Sequence, residues 1–301
     1  MDGIIIGGGP AGLTASIYLA RFKREVLVID DGNSRARLIP RSHNYPGFAE
    51  GVTGDELLAR LRRQADHYGI RRIRARVDHL DRSETLFTAR WSGREVAAPC
   101  VVLATGLVDT GPPIPRLAEA ISLGLVRYCP VCDGFEASGQ RIAVLGHAQE
   151  ACAKALFLRT YSEQVTLLTL DGSTIEESCC AELAKAGIVR PAAGVAAIDH
   201  GQGVVRITLT NGEQRMFDTL YAVLGCTVRS QLAIALGAAQ NEVGCLTVDQ
   251  HQQTTVPGLY AIGDVVSDLH QIAVATGHAA VAATHIHHEL PRNFNTGAAP
   301  P

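Results

Sequence analysis

The sequence predicts an α/β protein built from two Rossmann-like, three-layer units. Three observations predict it. A buried strand, a glycine-rich turn and a helix follow one another over Ile4–Leu19, and the same order returns over Arg141–Ala151. A stiff crossing, Gly111-Pro112-Pro113-Ile114-Pro115, separates the two passages, and Gly225-Cys226-Thr227 begins a return. A last short strand then closes on Gly263-Asp264. The expected division is 1–110, 111–228 and 229–301.

In the first passage, Gly7, Gly9 and Gly12 fill the GxGxxG positions of Gly7-Gly8-Gly9-Pro10-Ala11-Gly12. The first permits a tight turn, the second lets a pyrophosphate approach the backbone, and the third lets helix and strand pack closely. The helix N-terminus adds amide donors for phosphates. Val26–Asp30 is the next buried strand, and Asp30 lies roughly 20 residues beyond the glycines, where an acid takes ribose hydroxyls. Together these pieces predict a dinucleotide site.

Asn44-Tyr45-Pro46-Gly47 reads as a turn. A helix from about Gly54 then carries Leu57, Leu58, Leu61 and Ala65 on one apolar stripe. Arg60, Arg62, Arg63, Arg71, Arg72, Arg74 and Arg76 make its other face and the next strand basic, which suits either a solvated face or an acidic partner. Strands are expected near Thr85–Trp91 and Glu95–Thr105. The second ends in Ala104-Thr105-Gly106, small residues that allow close backbone approach.

The second passage keeps Gly146 at its turn. Ala148, however, stands where a second glycine would admit a pyrophosphate, and Thr169-Leu170-Asp171-Gly172 offers no arginine to a 2′-phosphate. The dinucleotide signal is degenerate there. Cys179-Cys180, in a helix, are too constrained for a disulfide and are expected to pack. Strands near Val204–Leu209 and Tyr221–Leu224 close the unit. Gly263-Asp264 can hold a cofactor phosphate by its backbone and a ribityl hydroxyl by its carboxylate. The final helix runs from about Gln271 to Leu290. His285, His287 and His288 lack metal spacing on one face and are expected to be solvated, and the tail from Pro291 reads as a linker.

Composition bounds the function. The chain has 301 residues, 47% hydrophobic and 19% charged, as in an ordinary soluble globular protein. A net charge of -3 argues against a general nucleic-acid binder. No apolar run reaches a membrane span; the best, Ile272–Ala283, is short and carries His278. No basic-then-apolar leader precedes the first strand, so a cytoplasmic location is expected. Apart from Cys129 and Cys132, the eight cysteines follow no framework spacing, as expected of reduced thiols.

The chemistry centres on Cys129-Pro130-Val131-Cys132-Asp133-Gly134-Phe135. Two cysteines so spaced at a helix start can close a small disulfide ring, with a thiol pKa lowered from about 8.5 toward about 7. The thiolate is the form that attacks disulfides. Asp133 can give a proton to, or take one from, a neighbouring sulfur. Half a zinc site and a structural bridge are the other uses of this spacing, and no second CxxC or CxxH pair completes a tetrahedral set.

Taken together, Gly7–Gly12, Asn44 with Pro46-Gly47, Ala104–Gly106, Cys129–Gly134 and Gly263-Asp264 resemble the low-molecular-weight thioredoxin reductases over essentially the whole chain. The resemblance implies an FAD domain split in sequence, the cysteine-bearing unit inserted between its halves, and a homodimer. It implies that Cys132 faces the flavin, Cys129 attacks the partner disulfide and Asp133 is the acid/base. Pro10, Ala11, Gln271 and Ile272 join the cofactor-binding marks, the last two within His270-Gln271-Ile272, where the family has Arg-Gln-Ala. Members that use NADPH carry an intact glycine turn at 146–149 and a His-Arg-Arg run at 169–171. Both are missing, which argues against direct NADPH use and leaves the second site empty or filled by a second FAD. Relatives without these marks include ferredoxin-dependent flavin thioredoxin reductases, diflavin disulfide oxidoreductases and oxygen-using dithiol oxidases. The expected partner is a thioredoxin-like protein or a small disulfide or dithiol, with ferredoxin a candidate donor. A non-catalytic flavin-binding redox sensor is the reading from a different class.

Overall fold

β1 (Gly3–Ile6) is buried at every position, as befits a strand inside a parallel sheet. The computed structural model that shows this describes residues 1–170, 176–267 and 269–294, with the backbone alone of Ala148. Gly9 caps α1 (Pro10–Arg21) without a side chain, and Pro10 takes the first turn, where a missing N–H costs nothing. β2 (Val26–Asp30) runs parallel to β1. α2 (Gly54–His67) buries Leu57, Leu58 and Ala65, and β3 (Arg71–Arg74) follows beside β2.

β4 (His79–Arg82), β5 (Phe87–Trp91) and β6 (Arg94–Ala98) form a separate antiparallel sheet. β7 (Cys100–Leu103) returns to lie parallel to β1. The single strand expected over 95–105 is therefore two strands in two sheets. Pro99 lacks the N–H to continue a ladder, and the chain bends there.

β8 (Leu107–Asp109) leads to the second unit, which opens with α3 (Leu117–Ser122), β9 (Val126–Arg127) and α4 (Pro130–Asp133). β10 (Ile142–Gly146), α5 (Ala148–Leu158), β11 (Val165–Leu168) and α6 (Glu177–Lys185) follow. β12 (Val195–Gly201), β13 (Val204–Leu209) and β14 (Gln214–Phe217) form an antiparallel flap, and β15 (Thr219–Val223) completes a parallel sheet of order β11-β10-β15-β9. β16 (Cys226–Val228) pairs with β8 on the return. α7 (Gln231–Ile234), β17 (Leu259–Ala261) and α8 (Ile272–Glu289) finish the first unit. Its sheet has the order β17-β7-β1-β2-β3, and α8 packs on α1.

The two units comprise 1–37, 54–108 and 228–301, and 38–53 with 109–227. Residues 38–53, expected in the first unit, thus group with the second. There His43 Nδ1 lies 3.1 Å from Glu136 Oε1, and the Asn44 amide donates to the Val131 carbonyl at 3.3 Å.

Two further expectations change. Cys179 is buried as expected, but it is bonded to Cys152, joining α5 to α6 in the second unit's core. The constraint on Cys179-Cys180 holds only between neighbours; packing brings a distant partner to Cys179. Cys100, Cys180, Cys226 and Cys245 stay outside the two disulfides. Thiol titration of the air-oxidised protein in denaturant is therefore expected to find four thiols of the eight cysteines, and all eight after reduction. Six before reduction would place Cys152 and Cys179 among the thiols. Nor are His285 and His287 solvated. His285 stacks on His251 with centroids 4.2 Å apart, and His287 takes a hydrogen bond from Arg24 at 3.1 Å.

Candidate active site

In the first unit, the carboxyl ends of β1, β2, β7 and β17 meet the start of α1, the place where open parallel sheets bind ligands. Gly7 has φ +111°, and a β-carbon there would overlap the Ala104 carbonyl. One on Gly12 would overlap the Gly7 carbonyl oxygen. Packing therefore requires these two glycines. Gly9 differs, because its β-carbon would meet only Ser34, with Oγ at 3.1 Å. Gly263 has φ +73° and sits against Ala11, a β-carbon on it coming 3.0 Å from that methyl.

Asp30 Oδ2 lies 2.6 Å from where a β-carbon on Gly8 would stand. The Thr105 hydroxyl donates to the Arg229 carbonyl at 2.6 Å, and Gly106 accepts from the Arg229 amide. Gln271 caps α8 and Ile272 is its first residue. Pro10 is the first residue of α1. Asp30, Ala104, Thr105 and Gly263 thus lie beside the Gly7–Gly12 turn, while Asn44 lies in the other unit.

Two residues there escape sequence reasoning. Arg35 Nη1 is 3.0 Å from Asp264 Oδ2, and buried His278 accepts from the Gly263 amide at 3.4 Å. No spacing rule marks Arg35, and His278 reads in sequence only as a polar break in an apolar run. These residues fit FAD: a β-carbon on Gly9 would meet only the Ser34 side chain, and the cap residue Gly9 itself brings no side chain to the first amides of α1. The turn, Asp30 and Asp264 would hold the cofactor, which when bound supplies a two-electron redox centre.

In the second unit Cys129 and Cys132 form a disulfide. Cys129 caps α4, its sulfur accepting from the Cys132 amide at 3.2 Å. The helix is a single turn, so its dipole adds less to thiolate formation than a longer helix would. Both cysteines are partly exposed, beside exposed Val131 and Phe135. Asp133 follows, its side chain 26% exposed. Its Oδ1 accepts from the Tyr221 hydroxyl at 2.9 Å, and Arg127 Nη1 lies 3.9 Å from Oδ2. Burial pushes the Asp133 carboxyl up to about 6, against the opposing pull of Arg127 and Tyr221. Arg127 and Tyr221 carry no motif; only the pairing of β9 with β15 brings them together.

The degenerate turn of this unit keeps Gly146 for packing, since a β-carbon there would overlap the Val223 carbonyl. The side chain of Ala148 and the whole of Asp171 lie outside the described residues. Among the described residues, no group of His, Cys, Asp and Glu could hold a metal ion, and no helix is long and apolar enough to cross a membrane.

Residues 1–279 match the family described as pyridine nucleotide-disulphide oxidoreductase. The chain is 29% identical, over 96% of its length, to NADPH-dependent thioredoxin reductase 3 of Arabidopsis thaliana, and spans 58% of that protein. It resembles the crystal structure of the atypical thioredoxin reductase TRi from Desulfovibrio vulgaris Hildenborough, with 33% identity, TM-score 0.54, and coverage of 97% of this chain and 99% of that one. It also resembles the crystal structure of HlmI, with 29% identity, TM-score 0.89, and coverage of 96% and 92%. With its dinucleotide turn and its CxxC disulfide, this chain belongs to the pyridine nucleotide-disulphide oxidoreductase family, as a thioredoxin reductase-like, FAD-dependent disulfide oxidoreductase.

Proposed function

We propose that the enzyme passes electrons between FAD, held by the first unit, and the Cys129–Cys132 pair. From there they pass to or from a thioredoxin-like protein or a small disulfide or dithiol. The observation that carries this reading is a partly exposed Cys129–Cys132 disulfide directly followed by a carboxyl poised at about 6. In the reducing direction the Cys129 thiolate attacks a substrate disulfide. A new S–S bond forms as the old one breaks, and the leaving sulfur takes a proton from Asp133. Cys132, assigned to the flavin side, then displaces the substrate and re-forms the disulfide. A redox sensor would be reduced once and stop; sustained turnover of a disulfide or dithiol separates the two readings.

The donor reading rests on the second passage. A 2′-phosphate beside Asp171 would meet like charge with no arginine to offset its desolvation. NADPH is expected to reduce the flavin slowly or not at all, and no better than NADH. Anaerobic titration with NADPH, NADH and reduced ferredoxin, read as flavin bleaching, tests this. NADPH reduction at on the order of 10 s⁻¹, saturating at low concentration, would restore an NADPH-dependent enzyme. With ferredoxin as donor, the arginines between Arg60 and Arg76 on α2 and around β3, most of them exposed, are its candidate dock, and reduction slows at high salt. If all three donors fail, oxygen uptake with a dithiol moves the assignment to an oxidase. The homodimer and the cytoplasmic location belong to the same proposal, the first checked by sedimentation and the second by cell fractionation.

A further inference from the structure

We infer, on the reading of Asp133 just given, that Tyr221 and Arg127 are positioning residues that set when Asp133 holds its proton, and so set the pH range of exchange at Cys129–Cys132. β9 and β15 run parallel with Arg127 and Tyr221 in register. Tyr221 is 0% exposed, so its hydroxyl is shielded from bulk water. That hydroxyl lies 2.9 Å from Asp133 Oδ1 and 3.1 Å from the Asp133 carbonyl oxygen. A hydrogen bond to a carboxylate is about twice as strong as one to a neutral acceptor, so the contact with Oδ1 favours the ionised acid.

Arg127 holds the same residue from the neighbouring strand. Its Nη1 donates to the Asp133 carbonyl at 2.7 Å, and its Nε donates to the Gly124 carbonyl at 3.0 Å. Its guanidinium carbon also lies 6.0 Å from the Tyr221 ring centroid. The arginine is thus fixed at three points, with its charge facing Oδ2. Glu136, in the next turn, pushes the other way, and His43 pairs with it at 3.1 Å. Burial favours the acid, while the phenol and the guanidinium favour the carboxylate. Their balance leaves a group that can act in both directions. It gives a proton to a sulfur leaving a substrate disulfide, or takes one from an incoming dithiol. After donation, Tyr221 and Arg127 stabilise the carboxylate that forms.

The test compares wild type, D133N, Y221F and R127Q holoenzymes. The anaerobically reduced proteins are mixed with bis(2-hydroxyethyl) disulfide across the pH range, since its thiol is basic enough to need a proton donor. In parallel, the carboxyl is titrated by 13C NMR, its resonance assigned by loss in D133N. Y221F removes one donor to the ionised form, so the acid is favoured and its midpoint rises. The expected rise is about one pH unit, in both the NMR titration and the limb of the rate profile. R127Q raises it too, and R127K restores most of the wild-type value. An unmoved midpoint in folded Y221F and R127Q, with D133N impaired, overturns the inference and leaves the role of Asp133 standing. Wild-type rates and profile in D133N overturn both.

Discussion

Serine at Cys129 or at Cys132 ends disulfide turnover while FAD stays bound. Each change removes one of the two sulfurs that must alternate between disulfide and dithiol, so the loss is expected to exceed about a thousandfold. Both residues lie in the second unit, while the FAD turn is in the first, so the fold and the flavin content should survive. The variants are not equivalent. With Cys132 assigned to the flavin side, Cys129→Ser leaves a thiolate there and gains a long-wavelength charge-transfer band; Cys132→Ser lacks it. Turnover at the wild-type rate in either variant would remove the pair from the reaction.

Substitutions at Gly9 and Gly12 should separate cofactor binding from folding. Alanine at Gly12 sets its methyl against the Gly7 carbonyl oxygen and 3.1 Å from the Ala104 methyl, where backbone meets backbone and nothing flexible can yield. A destabilisation above about 4 kcal/mol is expected, with little folded protein recovered. A β-carbon at Gly9 meets only the Ser34 side chain. The valine variant should fold, yet its side chain stands where a pyrophosphate must reach the backbone, so it is expected to purify colourless. Flavin absorbance and circular dichroism read the two effects independently. Full flavin occupancy in Gly9→Val would move the cofactor away from this turn.

The contrast between those glycines shows what a sequence can disclose. Gly7, Gly9 and Gly12 do their work within one turn, so their spacing along the chain is their spacing in space, and the same holds for Cys129 and Cys132. Arg35 and Asp264 meet only because β17 joins β7 in the sheet, and Tyr221 reaches Asp133 only because β15 lies beside β9. Cys152 and Cys179 stand 27 residues apart and pair through the packing of two helices. In each case one partner has no local signature. Pro99 is the reverse case, since its missing N–H was present in the sequence as a reason for the chain to change sheets. The His residues of α8 fail differently: their spacing excludes a shared metal but says nothing of Tyr260 or Arg24, which occupy them from other elements.

The most direct measurement is the electron capacity of the purified holoenzyme in anaerobic titration with dithionite. If FAD and the Cys129–Cys132 disulfide exchange electrons, and the buried Cys152–Cys179 disulfide stays oxidised, the wild-type protein takes up four electrons per flavin, two for each exchanging centre. The double serine variant takes up two. Uptake of only two electrons by the wild-type protein, with the flavin fully bleached and the Cys129–Cys132 disulfide intact, would contradict the account.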